Sequence, residues 1–241
     1  MDENYGVSPI PVDYNGSVYF TEEVINVTYD SSKAYMHAQY IFKNNCTENV
    51  DLHIRLPFIV YDGPDDIVLS EEKHPLDYSW VNTTVGLEFF DDYYEFKAIE
   101  FFLSFEPYEK ITVTIQYSRE YEIDDSTMNS FIYYSFGYII GTAKTWNHPL
   151  DSALFEFWIP KSICDDSFLL SKQFAVTVEP KHYVASVEYL NWIPEHDVID
   201  IYWHKLRPFG LTPSHISLFL NGLGVALLPL SVFVVLIILR R

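Results

Sequence analysis

The feature that most restricts the fold is a two-residue alternation of apolar and polar side chains. In Val50–Leu56 every second residue is Val, Leu or Ile, and Asp, His and Arg stand between them. Ile111–Tyr117 repeats the pattern with Thr and Gln at the polar positions. Successive side chains of an extended strand point to opposite faces, so each segment has one face suited to a core and one suited to water. This pattern is typical of antiparallel sheets.

About a dozen β-rich segments precede residue 205, and no long stretch among them has helical periodicity. We therefore predict an all-β fold: an antiparallel β-sandwich of two packed sheets over residues 18–204, with a long insertion over 62–82. Residues 1–17 are predicted to be an extended lead-in. The predicted loops are 62–66, 71–78 and 120–129. Besides the two segments above, the predicted strands are 24–29, 34–43, 85–90, 93–105, 131–140, 153–159, 174–178, 183–189 and 198–203.

The C-terminal run from Ile216 to Leu239 contains no charged residue. A helix of this length reaches about 36 Å, whereas the hydrocarbon core of a bilayer is roughly 30 Å thick. We therefore predict one transmembrane α-helix over 216–239, followed by a basic tail over 240–241. The predicted partner of this helix is membrane lipid, and the predicted location is a cell membrane.

Cationic and aromatic residues flank this predicted span. A juxtamembrane collar over 205–215 precedes it, and aromatic rings and long cationic side chains both favour the headgroup region of a bilayer. The residues predicted to lie at the membrane interface are Trp203, Lys205, Arg207, Arg240 and Arg241.

Residues 1–204 hold all 34 Asp and Glu but only 11 of the 15 Lys and Arg, a balance of −23. Such a negative field repels nucleic acid and anionic lipid headgroups. We therefore expect no nucleic-acid partner, and we expect the domain to stand away from the bilayer surface.

The orientation of the domain has two interpretations. Asn-X-Ser/Thr glycosylation patterns begin at Asn15, Asn26, Asn45 and Asn82, and they favour a domain outside the cytoplasm. The first residues lack the charged-then-apolar pattern of a signal peptide, and equal numbers of cations stand before and after the span. An extracytoplasmic domain is our preferred interpretation, and a cytosol-facing tail-anchored protein is the alternative.

Cys46 and Cys164 are the two cysteines of the chain. In an oxidising compartment a disulfide between them would close a long loop and stabilise the domain by about 4 kcal/mol or more. Two unrelated thiols are the alternative interpretation, and no cysteine spacing here suggests a zinc site.

Two groups of residues together resemble a known family. In the first, a strand pair ends in a Phe-x-Asn turn, Phe42 and Asn44, and the next strand finishes in Leu56-Pro57. The second is a strand, a turn and a strand that carry Tyr138, Ile140, Gly141, Thr142, Trp146, Pro149, Leu150, Phe155 and Phe157. In this order the chain resembles a family of secreted or membrane-anchored bacterial and archaeal proteins whose domain has no assigned function. The inter-alpha-trypsin inhibitor amino-terminal (VIT) domain is similar in the first group alone. The resemblance implies an extracytoplasmic β-rich fold and brings no catalytic residues.

No common catalytic or phosphate-binding motif occurs in the sequence, so we predict no catalytic residue and no cofactor. His196 and His204 lie about 26 Å apart if they share one strand, too far to hold one metal ion. Two acidic loops are calcium candidates because carboxylates are preferred ligands of Ca²⁺, with solvated turns as the alternative. Their candidate ligands are Asp62, Asp65, Asp66, Asp124 and Asp125.

These features favour a non-enzymatic, surface-displayed protein that binds a partner protein or an envelope polymer. The first alternative is an envelope-acting hydrolase or enzyme accessory, with carboxylates such as Glu156 and Asp200 brought together by folding. The second alternative is a tail-anchored adaptor that faces the cytosol.

Overall fold

A computed structural model of the protein describes residues 5–13, 16–58, 63–85, 94–124, 131–164, 169–170, 174–194 and 198–206. Within these ranges the chain forms seventeen strands and one short 3₁₀ helix, Gly141–Trp146. In chain order the strands are β1 (Tyr5–Val7), β2 (Ile10–Pro11), β3 (Val18–Tyr29), β4 (Lys33–Asn44), β5 (Val50–Phe58), β6 (Asp65–Glu71), β7 (His74–Pro75), β8 (Ser79–Val85), β9 (Tyr94–Phe105), β10 (Lys110–Glu120), β11 (Glu122–Asp124), β12 (Phe131–Ile139), β13 (Leu150–Pro160), β14 (Leu169–Leu170), β15 (Ala175–Val178), β16 (His182–Trp192) and β17 (Val198–Leu206).

The strands form three sheets. The large sheet has eight strands in the order β15-β16-β13-β3-β4-β10-β6-β7, and every pair in it is antiparallel except β13 with β3. The four-stranded sheet has the order β2-β5-β9-β8. The five-stranded sheet has the order β1-β12-β17-β14, and β11 also pairs with β12.

The large sheet has one apolar face, on which both smaller sheets pack. Along β4 the even-numbered residues from 34 to 44 are buried and the residues between them are half-buried or exposed. Phe155 of β13 contacts Tyr138 of β12 with ring centroids 5.7 Å apart, and Tyr117 of β10 contacts Phe58 of β5 at 5.3 Å. The five-stranded sheet therefore covers the β13 side of this face, and the four-stranded sheet covers the β10 side. No other sheet of the described residues covers the opposite, outer face of the large sheet.

The N-terminal segment joins the two smaller sheets. β1 pairs in parallel with β12 of the five-stranded sheet, and β2 pairs with β5 of the four-stranded sheet. These two short strands belong to the stretch 1–17, for which we predicted an extended lead-in. Strands of three and two residues are too short to show an alternation, and their stability comes from the sheets that they join.

The all-β prediction is confirmed, but the structure has three sheets where we predicted two. The stretch 62–82, predicted as an insertion with loops at 62–66 and 71–78, contains β6, β7 and the first half of β8. β6 begins with two aspartates and pairs with β10, so the partner strand rather than its own composition makes it extended. The predicted strand 85–90 begins at Val85, which is the last residue of β8, and its other residues lie outside the described residues.

The predicted transmembrane helix over 216–239, the collar from residue 207 onward and the basic tail also lie outside the described residues. In the part of the chain that the structure describes, no helix has the length and apolar character needed to cross a membrane. The first two collar positions belong to β17, which continues through Leu206.

Candidate functional site

An open groove with a volume of about 570 Å³ lies on the outer face of the large sheet. Five neighbouring strands form its floor: β13, β3, β4, β10 and β6. The strand register aligns one lining residue from each of them in a row across the sheet. This first row is Glu156, Asn26, His37, Gln116 and Val68.

A second row lies two residues further along the strands, about 7 Å from the first. Its members are Trp158 on β13, Thr28 on β3, Tyr35 on β4 and Ser118 on β10. Along each strand the residues of the two rows alternate with the buried core residues, as expected of an outer face. We did not predict this groove from the sequence, although aromatic residues at two outward strand positions are a signal for it.

A β-bulge supplies the last lining residue of this row. Val68 pairs with Gln116 and Asp65 pairs with Ser118, so β6 has one residue more than β10 between these pairs. Asp66 lies at this bulge with φ of 53°, in the left-handed region that Asp adopts more readily than most residues. Bulges re-aim the residues of a strand, and Asp66 is one of the residues that line the groove.

The charge of the groove is negative. Glu156 and Asp66 are the carboxylates among its lining residues, and no Lys or Arg lines it. Lys33 pairs with Asp65 at 2.6 Å and interacts with Asp66 at longer range. Within the described residues Glu156 and Asp66 form no ion pair of their own. Both charges are therefore available to a ligand.

Hydrogen bonds and ring contacts fix the two aromatic side chains of the second row. The hydroxyl of Tyr35 donates to Asp30 Oδ2 at 2.7 Å, and the ring is 44% exposed. Backbone N–H donation from Ser32, this Tyr35 hydroxyl and the Lys33 N–H lower the pKa of Asp30 to about 2. Trp158 is half-buried and meets His182 edge-on, with centroids 6.1 Å apart. Both rings thus present fixed surfaces to the groove.

The groove combines amides, hydroxyls, two carboxylates and two aromatic rings, which are groups that bind polar ligands. No group of three or more His, Cys, Asp or Glu in the described ranges is arranged to hold a metal ion. The arrangement is suited to recognition by hydrogen bonds, charge and ring contacts.

A second unusual polar group, Glu23, lies on the apolar face of the large sheet. Its carboxyl is fully buried, and Oε1 accepts hydrogen bonds from the hydroxyls of Ser8 and Tyr138, each at 2.7 Å. Tyr40 lies 3.2 Å from the Tyr138 hydroxyl. Burial is the largest influence on this carboxyl and raises the pKa of Glu23 to about 7, against the lowering effect of the two hydrogen bonds. Oε2 has no hydrogen-bond partner among the described residues.

Glu23 is not among the residues predicted from the sequence, although a signal for it exists. In β3 it has the same parity as Ile25, Val27 and Tyr29, which are all buried. A carboxylate at an inward position of an alternating strand is the pattern that would have found it. Since its partners come from the N-terminal segment and from the five-stranded sheet, their identity required the structure.

The calcium candidates are dispersed. Asp65 pairs with Lys33, and Asp66 lines the groove. Asp124 ends β11 in the five-stranded sheet, on a different sheet from these two. Asp62 and Asp125 lie outside the described residues.

The glycosylation candidates have different environments. Asn45 is exposed in the turn after β4, and Asn82 is exposed on β8. Asn26 is half-buried in the middle of β3 and forms part of the groove. Asn15 lies outside the described residues.

The two cysteines are not bridged to each other in the structure. The Cys46 thiol lies in the turn after β4 and donates to Asn44 Oδ1 at 3.0 Å. Cys164 is 2% exposed and belongs to the hydrophobic core.

Trp203, predicted at the membrane interface, is instead a core residue. It is 1% exposed and stacks on Tyr134 with ring centroids 5.5 Å apart. The reason is its inward position on β17, beside the aromatic rings of Tyr29 and Tyr121. The Lys205 ammonium donates to the carbonyl of Ser162. Arg207, Arg240 and Arg241 lie outside the described residues.

The two carboxylates considered for hydrolase chemistry lie in different sheets. Glu156 is on the outer face of the large sheet. The backbone of Asp200 pairs with Gly137 within the five-stranded sheet, which covers the other face, and the side chain of Asp200 lies outside the described part of the structure.

No protein family and no curated protein sequence matches the chain. Among solved structures, a Legionella pneumophila protein with a provisional assignment as a nutrient-binding protein is similar with a TM-score of 0.66 and 14% identity, over 83% of this chain and 70% of that one. This likeness shows a shared fold.

Two peptidase-related structures are similar with lower scores. Leukotriene A4 hydrolase from Saccharomyces cerevisiae has a TM-score of 0.46 and 9% identity over 82% of this chain. An M1 zinc metallopeptidase from Deinococcus radiodurans has a TM-score of 0.41 and 12% identity over 78% of this chain. The chain covers 30% and 42% of their respective lengths.

Proposed function

We propose that this protein is a non-enzymatic binding protein, anchored in a membrane by residues 216–239, whose β domain faces outward and holds its ligand in the groove. The observation that carries this proposal is the groove itself. Its carboxylates, amides and aromatic rings lie on the one broad face of the large sheet that no other described sheet covers.

A polar outer face is ordinary for an antiparallel sheet, so polarity alone does not distinguish a ligand site from solvated surface. Three features do distinguish it. Trp158 and Tyr35 place aromatic rings at outward positions, Glu156 and Asp66 have no ion pair among the described residues, and a bulge turns Asp66 toward the groove. The provisional nutrient-binding assignment of the Legionella pneumophila protein agrees with a binding role.

The distance between the two groove carboxylates argues against their joint action as a hydrolase pair. Glu156 and Asp66 lie on strands separated by four inter-strand spacings, which amounts to about 19 Å. Pairs of carboxyl groups that hydrolyse glycosidic bonds are about 5–9.5 Å apart. These two side chains therefore fit contacts to two ends of one ligand better than joint action on one bond.

Binding can be tested with the full chain in detergent and washed envelope fragments from the source organism. We expect the wild-type protein to sediment with the fragments, and we expect Trp158→Leu to reduce the sedimented fraction at least about fivefold, since ring contacts contribute strongly to recognition. Phe102→Leu is the matched control, because Phe102 is 64% exposed on the four-stranded sheet, away from the groove. Equal sedimentation of the Trp158 variant would refute a role of the groove.

Orientation is tested by protease treatment of intact cells, followed by mass spectrometry. An outward domain predicts that peptides from residues 5–206 are released while the C-terminal segment stays with the membrane. Protection of these peptides until the cells are opened would instead support the cytosol-facing alternative.

A further inference from the structure

We infer that the ligand of the groove is an elongated organic polycation of the aliphatic polyamine class. This inference rests on the proposed function, since it names the kind of molecule that the groove holds. Three observations carry it: the sign of the charges, their separation and the placement of the aromatic rings.

The charges favour a cation. Glu156 and Asp66 contribute negative charge, and no Lys or Arg is among the described residues that line the groove. Lys33 offsets only part of this charge, because its ammonium is bonded to Asp65 and interacts with Asp66 at longer range. The ionised Asp30 lies beside Tyr35 and adds negative charge near the groove. The chain as a whole has a net charge of −19, so its field also attracts cations and repels phosphorylated or carboxylated ligands.

The separation of the charges favours an elongated molecule. The groove crosses five strands, so the backbone positions of Glu156 and Asp66 lie about 19 Å apart or slightly more. A single metal ion needs all its ligands within about 2.6 Å and cannot contact both carboxylates. A linear aliphatic tetraamine in its extended form has a comparable length and carries an ammonium group at each end.

The side chains between the two ends suit the middle of such a chain. Trp158 and Tyr35 present ring surfaces, which attract ammonium groups within about 6 Å and also cover methylene groups. Asn26 and Gln116 offer amide oxygens to secondary ammonium groups in the first row. A neutral glycan would use the rings and amides as well, but it would leave two carboxylates without partners at the ends.

The experiment is calorimetric titration of the full chain in detergent with spermine at low salt. We expect saturable binding that weakens as NaCl is raised, because screening shortens the range of the charge interaction. Tetraethylene glycol, a neutral chain of similar length, should not bind. Tri-lysine should bind more weakly than spermine, because its charges branch from a bulky backbone. Stronger binding of tri-lysine would overturn the polyamine class.

Variants locate the binding in the groove. Glu156→Gln and Asp66→Asn each remove one charge with little change of shape, and we expect each to weaken spermine binding by about 5- to 10-fold. Asn also tolerates the left-handed backbone at position 66. Glu48→Gln is the charge-matched control, because Glu48 is exposed in the turn beyond the far end of β4. Thermal unfolding of each variant checks that it is folded.

Unchanged spermine affinity in the Glu156→Gln, Asp66→Asn double variant would overturn the inference. An equal loss of affinity in Glu48→Gln would also overturn it, because it would indicate diffuse counterion binding. Failure of the inference is separable from failure of the proposed function. Groove-dependent sedimentation with envelope fragments but no spermine binding would refute the polyamine class alone. Loss of both would refute the groove as a ligand site.

Discussion

At the scale of single residues, folding raises the pKa of Glu23 into the neutral range. Below pH 9 its hydroxyl neighbours remain neutral, since burial raises the pKa values of Tyr138, Tyr40 and Tyr117 above the ordinary tyrosine value of 10. Glu23 is thus the one group of this buried network that titrates near neutral pH, and it links the stability of the domain to pH.

We predict that ionisation of Glu23 destabilises the folded protein. Because the pKa of Glu23 is about 7 in the folded state against an ordinary value of 4.5, the folded state binds this proton more tightly than the unfolded state. The stabilisation is complete below pH 4.5 and is lost as pH rises to about 7, a change of roughly 3 kcal/mol. Urea unfolding of the wild type and of Glu23→Gln between pH 5 and 8 measures it.

In Glu23→Gln we expect the free energy of unfolding to fall much less over this pH range than it does in the wild type. Glu22→Gln is the control, because Glu22 is a half-buried neighbour that pairs with Lys110 at the surface. Parallel pH profiles for the wild type and Glu23→Gln would contradict the prediction.

Gly63 is a second position where one residue decides local structure. Its φ is +75°, and an added Cβ would lie 2.7 Å from Cη2 of Trp80. We expect Gly63→Ala to lower the free energy of unfolding by about 2–3 kcal/mol, from the unfavourable backbone conformation and the displaced ring. Gly16→Ala is matched in φ, at +78°, but meets no atom within 4 Å, so about 1 kcal/mol is expected there. Equal losses in urea unfolding would show that the Trp80 contact is unimportant.

At the scale of elements, the 3₁₀ helix Gly141–Trp146 fastens the N-terminal segment to the domain. The Thr142 hydroxyl donates to the carbonyl of Ser8 at 2.8 Å, and the Trp146 indole N–H donates to the carbonyl of Pro9 at 2.9 Å. Trp146 also packs on Phe42 and is 1% exposed. These contacts satisfy backbone groups between β1 and β2 that no sheet partner reaches.

We predict that Thr142→Val lowers the free energy of unfolding by about 1–3 kcal/mol, because it leaves a buried carbonyl without its donor. Thr145→Val, in the same helix, should change stability by less than about 0.5 kcal/mol, since Thr145 is exposed and bonds locally to the carbonyl of Thr142. Urea unfolding measures both, and amide exchange of residues 5–12 should accelerate in Thr142→Val alone. Slow exchange there would mean that sheet pairing is sufficient to hold the segment.

At the scale of the whole molecule, the excess of acidic residues opposes folding. A net charge of −19 favours the expanded chain through self-repulsion, whereas exposed ion pairs such as Lys33–Asp65 contribute little to stability because solvent screens them. We therefore expect the thermal midpoint to rise by several degrees between 20 and 300 mM NaCl at pH 7.5, approximate conditions at which screening changes strongly. Circular dichroism follows the transition. Near pH 4.6, the isoelectric point, the same salt change should have little effect.

Alternation is a local property, and for that reason the all-β class and strands such as β5 and β10 follow from the amino-acid pattern alone. A strand with one apolar face has the same period whatever sheet it joins. The alternation in β3 likewise places Glu23 on the inward face of the strand, with Ile25 and Val27.

The folded structure was needed to establish the number of sheets, the role of the N-terminal segment and the composition of the groove. β1 and β6 are strands because distant segments pair with them, and Trp203 is buried because three sheets meet around one core. Glu156 and Asp66 lie in one groove because β13, β3, β4, β10 and β6 are neighbours in space although their order in the chain is different. Such pairings depend on contacts between residues far apart in the chain, which a local pattern does not record.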